Sequence, residues 1–202
     1  MYSFFALMAR MKYIERWALM RNSLSENVSE HSLEVAMLAH GLAIISNEKC
    51  GNDFDVSRVA LMGLYHDANE IITGDMPTPI KYHDDHIKAA YKRVEDLASQ
   101  TMIDKLPDYM RKYYQPVFFP QEGNEREWRL VKAADKLSAL IKCMEELRSG
   151  NQEFKTAKKT IEDTLHKMEM PEVEIFVKEF LPAYELTLDE LQAEEVSCDD
   201  KI

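Results

Sequence analysis

Two stretches of this 202-residue chain, 1–76 and 121–170, contain no proline, and only six glycines are spread over its length, at 41, 51, 63, 74, 123 and 150. Within those stretches apolar residues recur every three or four positions instead of alternating, which is the period of a helix with one buried face. The closest glycines are ten residues apart. That removes a Walker loop, a dinucleotide fingerprint or any other glycine-rich phosphate cradle. No segment makes a convincing strand. The pattern predicts one all-α domain, a single helical bundle over 1–193 with a frayed tail at 194–202. Helices are predicted near 3–15 and over 29–47, the latter capped by Asn27 or Ser29 with Glu30 in its first turn. Others run from after Asp55 to about 67–72, over 84–105, briefly after Pro107, and over 123–148, 151–168 and 172–193, the last bent at Pro182. The proline-stiffened segment 74–79 reads as a loop.

With 25 basic and 36 acidic residues the net charge is −11. An acidic surface repels polyphosphate, so nucleic-acid polymers and anionic membranes are poor partners. A small phosphorylated substrate stays possible where one bound cation dominates the local field. Cys50, Cys143 and Cys198 are widely spaced and contain no CxxC pair, which fits a reducing compartment. The apolar run from Val35 to Ile45 is interrupted by His40 and is too short for a bilayer. Phe4, Phe5, Leu7 and Met8 are followed by Arg10, Lys12, Glu15 and Arg16, an amphipathic helix and not a leader. The expected location is the cytoplasm.

Polar residues on apolar faces carry the chemistry. His31 heads the stripe Val35, Leu38, Leu42, Ile45. His66 follows Val59 and Met62 or Gly63 on the inner side of the third helix, with Asp67 beside it. Asp135 lies four residues after Val131 and three before Ser138 on the long helix. A lone histidine on such a face is ordinarily a hydrogen-bonded core residue. His83-Asp84, the other His-Asp pair, sits in a polar stretch and reads as a solvated helix start. Burying His31, His66, Asp67 and Asp135 together without partners costs several kcal/mol. One shared divalent cation removes that cost. Two neutral imidazoles and two carboxylates suit Mn²⁺, Co²⁺, Fe²⁺, Ni²⁺ or Zn²⁺ better than Mg²⁺ or Ca²⁺. Open positions on such an ion meet the needs of a hydrolase with an activated water.

This arrangement resembles the HD-domain metal phosphohydrolases. The segments Glu15 to Arg21, Asn27 to Leu33, His66 to Glu70, Gly74 to Pro79 and Leu130 to Asp135 resemble more narrowly the bacterial YfbR-type 5′-deoxynucleotidases. The resemblance implies an HD-domain-like bundle that removes phosphate from deoxyribonucleoside 5′-monophosphates. It implies one divalent transition metal, Co²⁺ or Mn²⁺ before Zn²⁺, Ni²⁺ or Fe²⁺, and a homodimer. His31, His66, Asp67 and Asp135 match the metal ligands, and His31, Asp67 and Asp135 also border the substrate. Arg16 matches a phosphate-orienting arginine, Trp17 a residue near the sugar, and Glu70 a residue needed for catalysis. Asp75, Met76, Pro77 and Thr78 match a substrate-contacting loop.

Residue chemistry agrees with these roles. A continuing helix puts Glu70 on the face of His66 and Asp67, near a bound water whose proton it can hold. Asp75, at the mouth of a stiff loop, is a second candidate for that proton. The planar fork of Arg16 suits phosphate, and Trp17 packed on the sugar leaves no room for a 2′-hydroxyl. Plainer roles compete: Trp17 as a core anchor, Arg16 paired with Glu15, Arg21 as the phosphate ligand. Two other functions compete as well, hydrolysis of a signalling nucleotide by the same centre and a non-catalytic metal-binding helical module.

Overall fold

The second predicted helix, α2 (Val28–Cys50), begins with a complete capping box. The Asn27 side chain accepts from the amides of Ser29 and Glu30, while the Glu30 carboxylate accepts from the Asn27 amide. It stops at Gly51, whose φ of 71° suits a residue without a β-carbon. The longest helix, α8 (Glu125–Arg148), runs through the centre and buries Leu130, Val131, Ala134, Leu137 and Leu140. α3 (Val56–Tyr65), capped by Asp55, packs against both. The structure, a computed structural model, describes residues 1–81 and 83–196, with backbone alone at Thr78, Pro79 and 194–196. Among the described residues there is no sheet, only an isolated antiparallel bridge between Glu15 and Asn27. The all-α reading holds. The expected tail falls mostly on 197–202, outside the described residues.

The remaining helices surround this trio: α1 (Phe4–Met8), α4 (Glu70–Thr73), α5 (Thr78–Lys81), α6 (Asp85–Ile103), α7 (Asp108–Phe118), α9 (Lys155–Lys167), α10 (Pro171–Glu179) and α11 (Leu188–Val196). His83-Asp84 behaves as expected of a solvated start, since the Asp84 side chain accepts from the amide of Ile87 and caps α6. No helix among the described residues is long and apolar enough to cross a membrane.

Three predicted helices are broken. The first ends at Met8 and continues as a 3₁₀ turn, Met11–Tyr13, because Ile14 turns extended to enter the bridge region. The third ends at Tyr65 instead of 67–72. Residues 66–69 form tight turns, with the Ala68 amide on the Tyr65 carbonyl and the Glu70 amide on the Asp67 carbonyl, both at 3.0 Å. Consecutive residues of a regular helix diverge by about 100°; the tightened turn lets adjacent His66 and Asp67 face one centre. The last splits at Pro182, which cannot donate to the ladder. A 3₁₀ segment, Leu181–Glu185, separates α10 from α11.

Two features fix the site's frame. Gly63 is where α3 meets α2: a β-carbon there would come within 2.9 Å of the Ala36 α-carbon. Residues 17–25 form no helix and are fastened to the end of α8. The buried Glu146 carboxylate accepts from the amides of Ser23 and Leu24 and from Asn151 Nδ2, and pairs with Lys142 Nζ at 2.5 Å. Lys142 also donates to the Leu24 carbonyl, and Asn151 to that of Arg21. Burial alone would raise Glu146, but these donors hold it down at about 2, so its contribution persists above the ordinary carboxylate range and is lost only as pH falls toward 2. Removing one partner of a buried pair leaves the other charge uncompensated. Glu146→Ala should therefore cost about 3–5 kcal/mol of stability in a urea titration; a cost below about 1 kcal/mol would show the network to be incidental.

Candidate active site

His31, one turn into α2, is 1% exposed. Its Nδ1 lies 2.9 Å from Ser138 Oγ, and that hydroxyl donates to Glu34 Oε2 at 2.5 Å. The Ser138 hydrogen being committed to Glu34, its oxygen accepts from His31 Nδ1–H, and Nε2 is left facing inward, a ligand atom once the ring is neutral. His66 reaches the same state another way: its Nδ1 donates to the Gly63 carbonyl at 2.7 Å. The two rings lie 5.2 Å apart, and both Nε2 atoms are buried without a hydrogen-bond partner.

Carboxylates converge on these nitrogens. Asp67 Oδ2 lies 3.1 Å from His66 Nε2 and 3.5 Å from His31 Nε2, and Asp135 Oδ1 lies 3.2 Å from His31 Nε2. One atom each of His31, His66 and Asp67 falls within 4.8 Å of the others. The second oxygen of Asp135 accepts from Lys136 Nζ at 2.8 Å. Two orphaned imidazole nitrogens beside two carboxylates fit a divalent transition ion in both donor type and charge. Burial opposes charge on His31, Asp67 and Asp135, yet their ionic partners win. The nearby carboxylates of Asp135 and Glu26 push His31 up to about 9. The imidazoles of His66 and His31 hold Asp67 below the usual carboxylate range, and Lys136 with His31 does the same for Asp135.

Above this centre opens a cavity of about 520 Å³. Arg16, Trp17, Asp67, Glu70, Asp75, Met76, Pro77 and Asp135 line it. Thr78 opens α5 next to that loop, and its side chain lies outside the described residues. Arg16 ignores Glu15: its Nη1 lies 3.6 Å from Asp67 Oδ2 and its Nε 3.4 Å from Glu26 Oε1. Arg21 is exposed and does not border the cavity. Trp17 is half-buried at the cavity wall against Phe154, with ring centroids 5.3 Å apart, and is not a core anchor. Its φ of 58° is left-handed, a conformation that costs a side chain of this size about 1–2 kcal/mol. Bonds from the Asn22 side chain and the Met20 amide to its carbonyl hold it there. The far wall belongs to α9: Thr156, Ala157, Thr160, Ile161 and Thr164. The Thr160 and Thr164 hydroxyls donate to carbonyls of their own helix.

Glu70 reaches the cavity although the helix expected to carry it is interrupted. It starts α4 after the tight turn, and its Oε2 is buried with no partner. Burial, and then the carboxylates of Asp67 and Asp75, push it up to about 10. Burial also raises Asp75. Reading the sequence alone misses Glu26, Glu34 and Lys136. Glu26 lies in a polar stretch and Glu34 between Leu33 and Val35, neither with a marker, and the one available signal for the relay is Ser138, a hydroxyl on an apolar face.

Comparison with known proteins agrees with this geometry. The chain matches the family model described as YfbR-like 5′-deoxynucleotidase over residues 3–184. It is 47% identical over 188 residues to a 5′-deoxynucleotidase of Vibrio vulnificus, covering 93% of this chain and 97% of that one. The same identity relates it to the 5′-deoxynucleotidase YfbR of Salmonella paratyphi B, over 93% of this chain and 94% of the relative. Among solved structures, an HD-domain phosphohydrolase of Listeria innocua superposes with a TM-score of 0.78 at 22% identity, covering 96% and 97% of the two chains. The HD phosphohydrolase of cyanophage S-2L, bound to dA and one catalytic Zn²⁺ ion, gives 0.63 at 18% identity over 90% and 96%. With the fold shared by the structural neighbours and the family model spanning nearly every described helix, the chain belongs to the YfbR-like 5′-deoxynucleotidase family.

Proposed function

We propose that this protein hydrolyses 2′-deoxyribonucleoside 5′-monophosphates to the deoxynucleoside and inorganic phosphate. The observation that carries the reading is the meeting of two partnerless imidazole nitrogens with Asp67 and Asp135 at the floor of a cavity that also presents Arg16 and Trp17. The 47% identity to enzymes named 5′-deoxynucleotidases supports it. His31, His66, Asp67 and Asp135 would hold a divalent ion, which would supply Lewis acidity toward the phosphate and lower the pKa of a water. Co²⁺ or Mn²⁺ is our choice for a donor set divided between imidazole and carboxylate.

The chain's own groups do the rest. Arg16 offers its planar donors to the phosphate oxygens, where charge builds as the bond to the 5′-oxygen breaks. Glu70 would give up its own proton beside the charge of a bound cation and then take that of the attacking water, and Asp75 is placed to give one to the departing 5′-oxygen. Trp17 packs against C2′ of the sugar, where a hydroxyl would find neither space nor a partner. On the α9 wall Thr160 and Thr164 have spent their hydroxyls internally, which supports weak discrimination among bases.

Phosphate release from dAMP and AMP tests the reading. Wild type should prefer dAMP, and Trp17→Ala should raise relative activity on AMP by about tenfold. Pyrophosphate from a triphosphate substrate, or no rate with any divalent ion, would overturn it. The acidic chain with no membrane-spanning helix among its described residues supports action in the cytoplasm. Leu33, Met37 and Ile44 stand exposed along the outer side of α2, which supports a homodimer; a sedimentation mass of one 23.5 kDa chain would refute that.

A further inference from the structure

Glu26 has no part in the chemistry above, yet it touches three groups that do. Its Oε2 accepts from Trp17 Nε1 at 2.9 Å. Its Oε1 lies 3.4 Å from Arg16 Nε and 3.4 Å from His31 Nδ1. Its backbone carbonyl accepts from the Arg16 amide at 2.9 Å. The side chain is 14% exposed, and the residue immediately precedes Asn27, the cap of α2. That position matters: the capping box fixes the backbone next to Glu26 relative to His31, so the carboxylate projects from a rigid base. Arg16 and Trp17 instead sit on a segment without helix, and Trp17 holds a left-handed backbone that only its contacts maintain.

We infer that Glu26 is the positioning residue for deoxyribose selection: it holds the Trp17 indole against the sugar subsite while steadying the Arg16 guanidinium over the phosphate subsite. This role rests on the proposed function. An indole whose N–H has lost its acceptor keeps only its packing on Phe154 to fix its rotamer. A wall that wavers admits the 2′-hydroxyl it should exclude.

Loss of the carboxylate and loss of the indole N–H should therefore have the same consequence. In metal-loaded protein, Glu26→Ala should lower the dAMP-to-AMP ratio of kcat/KM about tenfold. Glu26→Gln should restore most of the ratio, because its amide oxygen still accepts from the indole. Trp17→Phe keeps a ring but no N–H and should also lower the ratio, and combining it with Glu26→Ala should add little. Metal-free protein carrying Trp128→Phe gives a readout independent of turnover: Glu26→Ala should shift the emission of Trp17 to the red, and Glu26→Gln should shift it less. Wild type without a deoxy preference refutes the proposed function and this role with it. Wild type with the preference, and Glu26→Ala keeping the ratio within about twofold, refutes the role alone. So does additivity of the two losses. If Glu26→Ala does not fold, Trp17→Phe keeping the full ratio refutes the role as well.

Discussion

Chelation should silence the protein. Phosphate release from dAMP is expected to fall on the order of 10³-fold, since the ion accounts for several kcal/mol of transition-state stabilisation, and to return when Co²⁺ or Mn²⁺ is added back. The metal-free site also predicts how uptake depends on pH. His31, pushed up to about 9 by Asp135 and Glu26 against the cost of burial, carries a proton at neutrality. A ligating imidazole must be neutral, so binding expels that proton. Affinity should therefore fall at least tenfold for each pH unit below 9, and at least one proton per ion should appear in weakly buffered solution. Activity indifferent to chelation would dismantle the proposed centre. Uptake without proton release would show that His31 is neutral before the ion arrives.

Glu70→Gln should separate activity from stability. The variant loses a group placed to manage the proton of the attacking water, a contribution of about 10²–10⁴-fold. Yet its chelated form should melt higher than chelated wild type. Burial first, then Asp67 and Asp75, push Glu70 up to about 10, while the unfolded chain releases this proton near 4.5. Between those values the folded state keeps a proton that the unfolded state has lost, so each rise in pH favours unfolding. The amide carries no such penalty. Each kcal/mol recovered raises the melting temperature of a chain this size by about 2–4 °C, and the gain should shrink as pH falls toward 4.5. A variant that melts lower at neutral pH would show that the carboxyl group is satisfied where it sits.

Much of this was legible because helices advertise themselves. Asn27 and Glu30 announce the start of α2, and His31 and Asp135 stand out as polar residues on apolar faces. What escaped depends on contacts far apart in the chain. Nothing local marks Tyr65 as a helix end: no proline or glycine follows, and the three-four periodicity runs on toward Glu70. The tight turn exists because His66 and Asp67 must face one centre. The loop from Trp17 to Ser25 looks unsupported until Lys142 and Glu146, more than a hundred residues later, meet its backbone. Glu26 and Glu34 are ordinary in composition and become informative only beside His31.

Gly63 joins two duties that proteins usually keep apart. Its missing β-carbon sets how closely α2 and α3 lie, and its carbonyl aims the His66 ring. Spacing and aim thus share one backbone unit. A methyl group added there would wedge the helices apart and swing the ring with them, so the first casualty would be the grip on the ion, before the bundle itself gave way. The tolerance of this reactive centre is built into the bare surface of a helix, one turn away from any group that reacts.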